Sequence, residues 1–123
     1  MNINEVSGNI VDAAIEVHNA LGPGLMENAY QQCLRHELLE RGVKVLQEVG
    51  LPVRYKNTLI ELGYRIDLLV EDALILELKS VDKLTGIHDA QWLTYMKLSR
   101  IRTGLLINFN VTKLKDGFKR LVL

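Results

Sequence analysis

The sequence predicts an α/β domain built on one mixed β-sheet. Helical periodicity dominates residues 8–41, apolar extended runs follow over residues 43–80, and a helical pattern returns over residues 89–100. Two further strands are expected after it, a buried "TGLLINF" and a closing edge strand "FKRLVL". Alternating helical and extended segments are typical of a sheet covered by helices. No repeat or linker interrupts the 123 residues, so a single domain, residues 1–123, is expected.

Two helices are predicted before the first strand. Ser7 is a favourable N-cap for a helix over residues 8–21, and the "LGPGL" that follows favours a turn. A second helix is expected over residues 25–41, with Gly42 placed to end it. Apolar residues at helical spacing predict its buried stripe: Met26, Tyr30, Cys33, Leu34 and Leu38.

The strongest strand signals are "TLIELGYRIDLLV" and "ALILELKS". Side chains alternate between the two faces of a strand, so each segment should present one apolar face. These faces are Ile66, Leu68 and Val70 in the first segment, and Leu74, Leu76 and Leu78 in the second. The opposite faces carry Asp67 and then Glu77 and Lys79. Such charges indicate either a solvated sheet face or a functional site.

The loop between these two strands decides whether the acids can meet. Opposed residues in an antiparallel pair have a constant sum of positions and share a face. A two-residue loop at 71–72 would set Asp67 against Leu76 and send Glu77 to the other face of the sheet. We therefore predict an odd-length loop, Glu71 to Ala73, or a β-bulge in one strand.

Two motifs resemble a known family. Asp67 followed by "ELK" at residues 77–79 resembles the PD-(D/E)xK nuclease superfamily, although Ile66 stands where a proline usually precedes the acid. "GLMENAY", residues 24–30, resembles the signature of the GxxExxY family, a small-protein branch of that superfamily. "GIHDAQWLTYMKLS" and residues 104–122 are also similar to the family, so the resemblance covers nearly the whole chain. It implies a restriction-endonuclease-like core, a mixed central β-sheet flanked by helices.

The resemblance also implies a metal-dependent nuclease site. Three acids would hold Mg²⁺, for which Mn²⁺ could substitute: Asp67, Glu77 and Glu27. Lys79 would position or activate the attacking water, and Gln91 and Tyr95 resemble a Q-x-x-x-Y element on the helix after that strand. Residue chemistry agrees, since Mg²⁺ prefers carboxylate oxygens and a lysine can stabilise charge on a phosphoryl group. Metal binding to the native acid cluster is expected to stabilise the fold.

Nucleic acid is the implied partner, with DNA expected rather than RNA. The last 27 residues carry one acid, Asp116, and seven basic residues: Lys97, Arg100, Arg102, Lys113, Lys115, Lys119 and Arg120. Such a segment either grips a phosphate backbone or protects a sheet edge from aggregation. A homodimer or a partner protein is expected to supply specificity, because no separate nucleic-acid-binding domain is evident.

The composition argues against several other classes of protein. The formal net charge is zero, which argues against an indiscriminate polyanion binder. A single cysteine excludes an intramolecular disulfide, and no apolar stretch reaches the roughly 20 residues that span a bilayer. A cytoplasmic protein without membrane contact is expected. The alternative to an active nuclease is a catalytically silent nuclease-like module that binds or regulates.

Overall fold

The structure, a computed structural model, describes residues 1–123. Three α-helices, seven strands and one 3-10 helix follow one another along the chain. In order, they are α1 (Ile3–Leu21), α2 (Glu27–Glu40), β1 (Val45–Gly50), β2 (Val53–Tyr55), β3 (Thr58–Ile60), β4 (Arg65–Val70), β5 (Leu74–Lys79), α3 (Gly86–Ser99), β6 (Thr103–Asn108), the 3-10 helix (Leu114–Gly117) and β7 (Phe118–Val122). None of the helices is both long enough and apolar enough to cross a membrane.

Five strands form one mixed sheet in the order β1-β4-β5-β6-β7. Only β5 and β6 are parallel, and α3 makes the crossover between them. Helices α1 and α2 cover one face of the sheet, where the larger core includes Ile10, Leu34 and Leu76. Helix α3 covers the other face through Trp92 and Met96. The predicted mixed sheet with helices on both sides is therefore confirmed.

Helix α1 begins earlier than the sequence pattern indicated. Asn2 is its N-cap, and its side-chain oxygen accepts a hydrogen bond from the Glu5 backbone N–H at 2.9 Å. Ser7, the expected cap, lies buried inside the helix. Asparagine is as good an N-cap as serine, and Val6 extends the buried stripe of Ile10 back by one turn, so the longer helix buries more apolar surface.

The buried face of α2 is narrower than expected. Tyr30, Leu34 and Leu38 recur every four residues and are fully buried. Cys33 falls off this line and is exposed, and Met26 precedes the helix as its N-cap and is also exposed. Both were expected in the core. Cys33 lies off the i, i+4 line and faces solvent. Met26 stands at that spacing, but its backbone is extended and precedes the first helical turn, so helical spacing does not apply to it.

The predicted strand "TLIELGYRIDLLV" is broken in the structure. Residues Thr58–Ile60 pair with Val53–Tyr55 in a separate two-stranded hairpin, β2–β3. Residues 61–64 then leave the extended pairing, and Gly63 adopts a φ of +77°, which glycine tolerates without strain. Only Arg65–Val70 joins the main sheet, as β4.

Candidate active site

The loop between β4 and β5 has the predicted odd length. Leu69 lies opposite Ile75 and Val70 opposite Leu74, which leaves residues 71–73 as the loop. The Ala73 N–H donates to the Val70 carbonyl at 3.0 Å and closes the turn. The predicted odd loop length is therefore confirmed. The same register, extended by one pair beyond Leu68–Leu76, would set Asp67 opposite Glu77.

At those two acids the ladder between β4 and β5 gives way to side-chain hydrogen bonds. Paired backbone ends at Leu68 and Leu76. Beyond this point the Leu78 N–H donates to Asp67 Oδ2 at 2.9 Å, and the Asp67 N–H donates to Glu77 Oε1 at 3.3 Å. The two carboxylates therefore occupy the seam between the strands and satisfy backbone donors that a continuing ladder would otherwise pair.

Both acids hold their protons more tightly than usual. Glu77 is only 3% exposed. Burial, followed by the charge of Asp67, raises the pKa of Glu77 from 4.5 to about 9. Burial also raises the pKa of Asp67, against the opposing effect of the Leu78 N–H. Two carboxyl groups in one buried seam repel when both are ionised, so near neutral pH this pair retains a proton.

Lys79 and Glu27 lie near the acid pair without touching it. Lys79 follows Glu77 by two residues on β5, is half-buried, and forms no ion pair. Its positive charge favours the ionised forms and so lowers the pKa of both acids. Glu27 is exposed at the start of α2, and its negative charge raises the pKa of Asp67. All four predicted groups thus share one electrostatic environment.

Tyr95, on α3, is within electrostatic range of the acids. Burial, and then the charges of Glu77 and Asp67, raise the pKa of its hydroxyl. Its ring lies 6.1 Å from that of Tyr64, centroid to centroid, in a cleft of about 300 Å³. Gln91 lines the same cleft, but it is exposed and makes no hydrogen bond.

The "GLMENAY" segment is held in place by hydrogen bonds around the loop before α2. The Tyr30 hydroxyl donates to the Gly22 carbonyl at 2.6 Å and accepts from the Leu25 N–H at 3.1 Å. The Ser80 hydroxyl, just beyond β5, donates to the Leu25 carbonyl. These bonds fix the loop before α2 to the end of β5. They therefore determine where Glu27, the first residue of α2, lies relative to the acids.

Two polar residues near the acids were missed by the sequence analysis. Gln31 is 5% exposed, and its Nε2 donates to Glu48 Oε1 at 2.7 Å and to the Asp67 carbonyl at 3.4 Å. Gln31 lies four residues after Glu27, so the two share one face of α2. That spacing was the available signal for Gln31. Glu48 had none, since its place in the site depends on an irregularity in β1.

At this irregularity in β1, the neighbouring residues of β4 turn their side chains from one face of the sheet to the other. Glu48 has a left-handed φ of +52°, and the pair Glu48–Asp67 is missing from an otherwise continuous β1–β4 ladder. Leu68 packs in the core beneath α1 and α2, whereas Ile66 packs in the core beneath α3. The predicted shared face of Ile66, Leu68 and Val70 is therefore wrong at Ile66. A non-glycine residue in this conformation costs roughly 1–3 kcal/mol, and such strain often accompanies functional sites.

The acid groups of the site offer oxygen ligands to a divalent cation. No group of three His, Cys, Asp or Glu side chains lies close enough to chelate a metal ion in this structure. Two carboxylates do converge. Burial raises the pKa of both acids, with the charge of Asp67 as the next cause for Glu77, and a bound cation would favour their ionised forms. Mg²⁺ is commonly bound through one or two carboxylates, with water and substrate phosphate completing the shell. The acid pair fits that mode, and Glu27 contributes a further negative charge to the same environment.

A mixed sheet with helices on both faces and an Asp, a Glu and a Lys on its central strands defines a nuclease-like protein. Comparison with protein families agrees: the family model of the PD-(D/E)XK nuclease superfamily matches residues 4–121. The chain therefore belongs to the PD-(D/E)XK nuclease superfamily. Nucleases of this superfamily generally use divalent metal ions and act on nucleic acids. No curated protein and no solved structure matches the chain.

Proposed function

We propose that this chain is a metal-dependent nuclease that hydrolyses phosphodiester bonds, with DNA as substrate rather than RNA and Mg²⁺ as the metal. Mn²⁺ would substitute for Mg²⁺. The observation that carries the proposal is the buried pair of Asp67 and Glu77 in the β4–β5 seam, with Lys79 beside it. Burying two carboxyl groups together destabilises a fold, so a module that only binds would gain stability by losing one of them.

A divalent cation held by Asp67 and Glu77 would polarise the phosphoryl group and favour ionisation of a bound water. The Lys79 ammonium would donate hydrogen bonds to the attacking water or to a non-bridging phosphate oxygen, and so orient them. Glu27 would hold a second water through its exposed carboxylate. Tyr95 would donate its hydroxyl proton in a hydrogen bond toward the acids, while Gln91 would contact the substrate at the rim of the cleft.

We also propose that the chain belongs to the GxxExxY branch of the superfamily, as one domain over residues 1–123. The spacing of Gly24, Glu27 and Tyr30 supports this assignment, because each residue contributes differently to the loop before α2 and to the start of that helix. Gly24 adopts a φ of +95°, and Tyr30 binds the loop through its hydroxyl. Glu27 is then presented at the helix start.

A substrate panel tests the proposed activity. Linear duplex, supercoiled duplex, single-stranded DNA and RNA would be incubated with Mg²⁺ or Mn²⁺ and the wild-type protein, Lys79→Ala or Lys113→Ala. Lys113 is an exposed lysine without an ion pair, so its loss controls for a change of one charge. We expect metal-dependent cleavage by the wild type and Lys113→Ala and a loss of at least 100-fold in Lys79→Ala. Equal cleavage by all three proteins would indicate a contaminant and refute the proposal.

A further inference from the structure

A second cleft lies beside the C-terminal end of α3. Its volume is about 370 Å³, and it is bounded on the other side by the β2–β3 hairpin. Leu51 and Leu98 are part of its apolar floor, and three basic residues line it: Arg54, Lys97 and Arg100. These come from the hairpin, from α3 and from the residue that caps α3. The cleft is thus built from separate parts of the chain.

The positive charge in this cleft is not neutralised within the protein. Arg54, Lys97 and Arg100 are all exposed, no acidic residue lines the cleft, and none of the three forms an ion pair or a side-chain hydrogen bond. Basic residues elsewhere do find partners, as Lys119 does with Asp89 at 3.2 Å. Three uncompensated cations above an apolar floor suit a ligand that carries repeated negative charges on an uncharged frame.

This cleft neighbours the cleft lined by Tyr64 and Tyr95. Tyr95 lines one cleft and Leu98 the other, and the two residues are three apart on α3, about 4.5 Å along the helix at 1.5 Å per residue. A hydrogen bond of 2.8 Å from the Leu51 N–H to the Tyr64 carbonyl joins the walls of the two clefts. One bound strand could therefore contact both, since successive nucleotides of a strand rise about 3.4 Å.

We infer that this cleft, lined by Arg54, Lys97 and Arg100, binds the sugar–phosphate backbone of the DNA strand that is cut. The inference rests on the proposed nuclease function and specifies how its substrate is held. It also specifies which residues of the basic C-terminal segment would contact DNA. Of the seven basic residues in that segment, only Lys97 and Arg100 line the cleft, whereas Lys119 is paired with Asp89.

Salt-dependent DNA binding in EDTA tests this inference without cleavage. The three proteins are the wild type, a cleft variant (Arg54→Gln, Lys97→Gln, Arg100→Gln) and a control that loses the same charge elsewhere (Lys113→Gln, Lys115→Gln, Arg120→Gln). Fluorescence anisotropy of a labelled duplex gives the affinity between 50 and 200 mM salt. Each phosphate contact contributes roughly 0.9 to the slope of log affinity against log salt, so the slope of the cleft variant should be shallower by about 2.7. Between 50 and 200 mM salt, the wild type should therefore lose about 40-fold more affinity than the cleft variant.

The outcomes separate this inference from the proposed function. The control variant should keep the wild-type slope, and circular dichroism should show all three proteins folded. An unchanged slope in the cleft variant, or no binding by the wild type, overturns the inference whether or not DNA is cut. A wild type that binds through the cleft but cuts nothing with Mg²⁺ overturns the proposed function alone. A wild-type dimer that the cleft variant dissociates, with unchanged DNA affinity, assigns the cleft to a second copy and also overturns the inference.

Discussion

Replacing Glu77 by glutamine should stabilise the metal-free protein at pH 8. Burial and the neighbouring Asp67 raise the pKa of Glu77 from 4.5 to about 9, so the folded chain holds a proton that the unfolded chain releases. The stability that this proton contributes is complete below pH 4.5 and is lost as pH rises toward 9. Glutamine keeps the shape, can donate an N–H to the Asp67 carboxylate, and has no proton to lose.

The size of the effect follows from linkage. One proton bound only by the folded state changes the free energy of unfolding by about 1.4 kcal/mol per pH unit. Between pH 6 and pH 8 the wild type should therefore lose up to about 2.7 kcal/mol relative to Glu77→Gln. With an unfolding entropy of about 2.1 cal/mol/K per residue over 123 residues, this corresponds to a difference of about 10 °C in Tm.

Thermal unfolding in EDTA at pH 6, 7 and 8 measures this difference. The comparison of wild type with Glu77→Gln removes the contribution of titrating groups away from the acid pair, since both proteins share them. A third protein, Glu61→Gln, changes an exposed acid outside the site and should follow the wild type. Parallel pH profiles for the wild type and Glu77→Gln would refute the assignment of a buried, protonated acid pair.

Three further substitutions test other parts of the structure. Tyr30→Phe removes both hydrogen bonds to the loop before α2 and should cost about 1–2 kcal/mol in urea unfolding, because a donor and an acceptor lose their partner. Gly104→Ala would push a methyl group into Trp92 and should cost about 1–3 kcal/mol in the same assay. Gln31→Leu would remove the hydrogen bond from Gln31 to the Asp67 carbonyl, which supports a proposed metal ligand. It should lower the metal affinity about 10- to 100-fold, as calorimetry would show.

Features that depend on local periodicity could be predicted from the sequence. The mixed sheet and the three-residue loop follow from alternation and parity, which hold wherever a strand pair is regular. The face shared by Glu77 and Lys79 follows for the same reason. The place of Tyr95 on the helix that crosses over the sheet after β5 could also be predicted from the sequence.

Features that depend on contacts between distant segments could not be predicted. The left-handed backbone of Glu48 has no sequence signal, since glutamate rarely adopts it, and it is this kink that sends Ile66 to the opposite core. The bond from Gln31 to Glu48 requires α2 to pack over β1, which no local pattern specifies. Cys33 shows the same limit, because apolar spacing alone does not determine how wide a helix face the core covers.

Binding of Mn²⁺ at pH 6, 7 and 8 tests most directly whether the acid pair is a metal site. Electron paramagnetic resonance measures the free aqueous ion, and hence the apparent Kd. A cation that binds Asp67 and Glu77 must displace about one proton, so the apparent Kd should fall about tenfold per pH unit in the wild type. Asp67→Asn should bind much more weakly at every pH. An affinity that is independent of pH, or that survives Asp67→Asn, would contradict the assignment of a metal-dependent nuclease site to this pair.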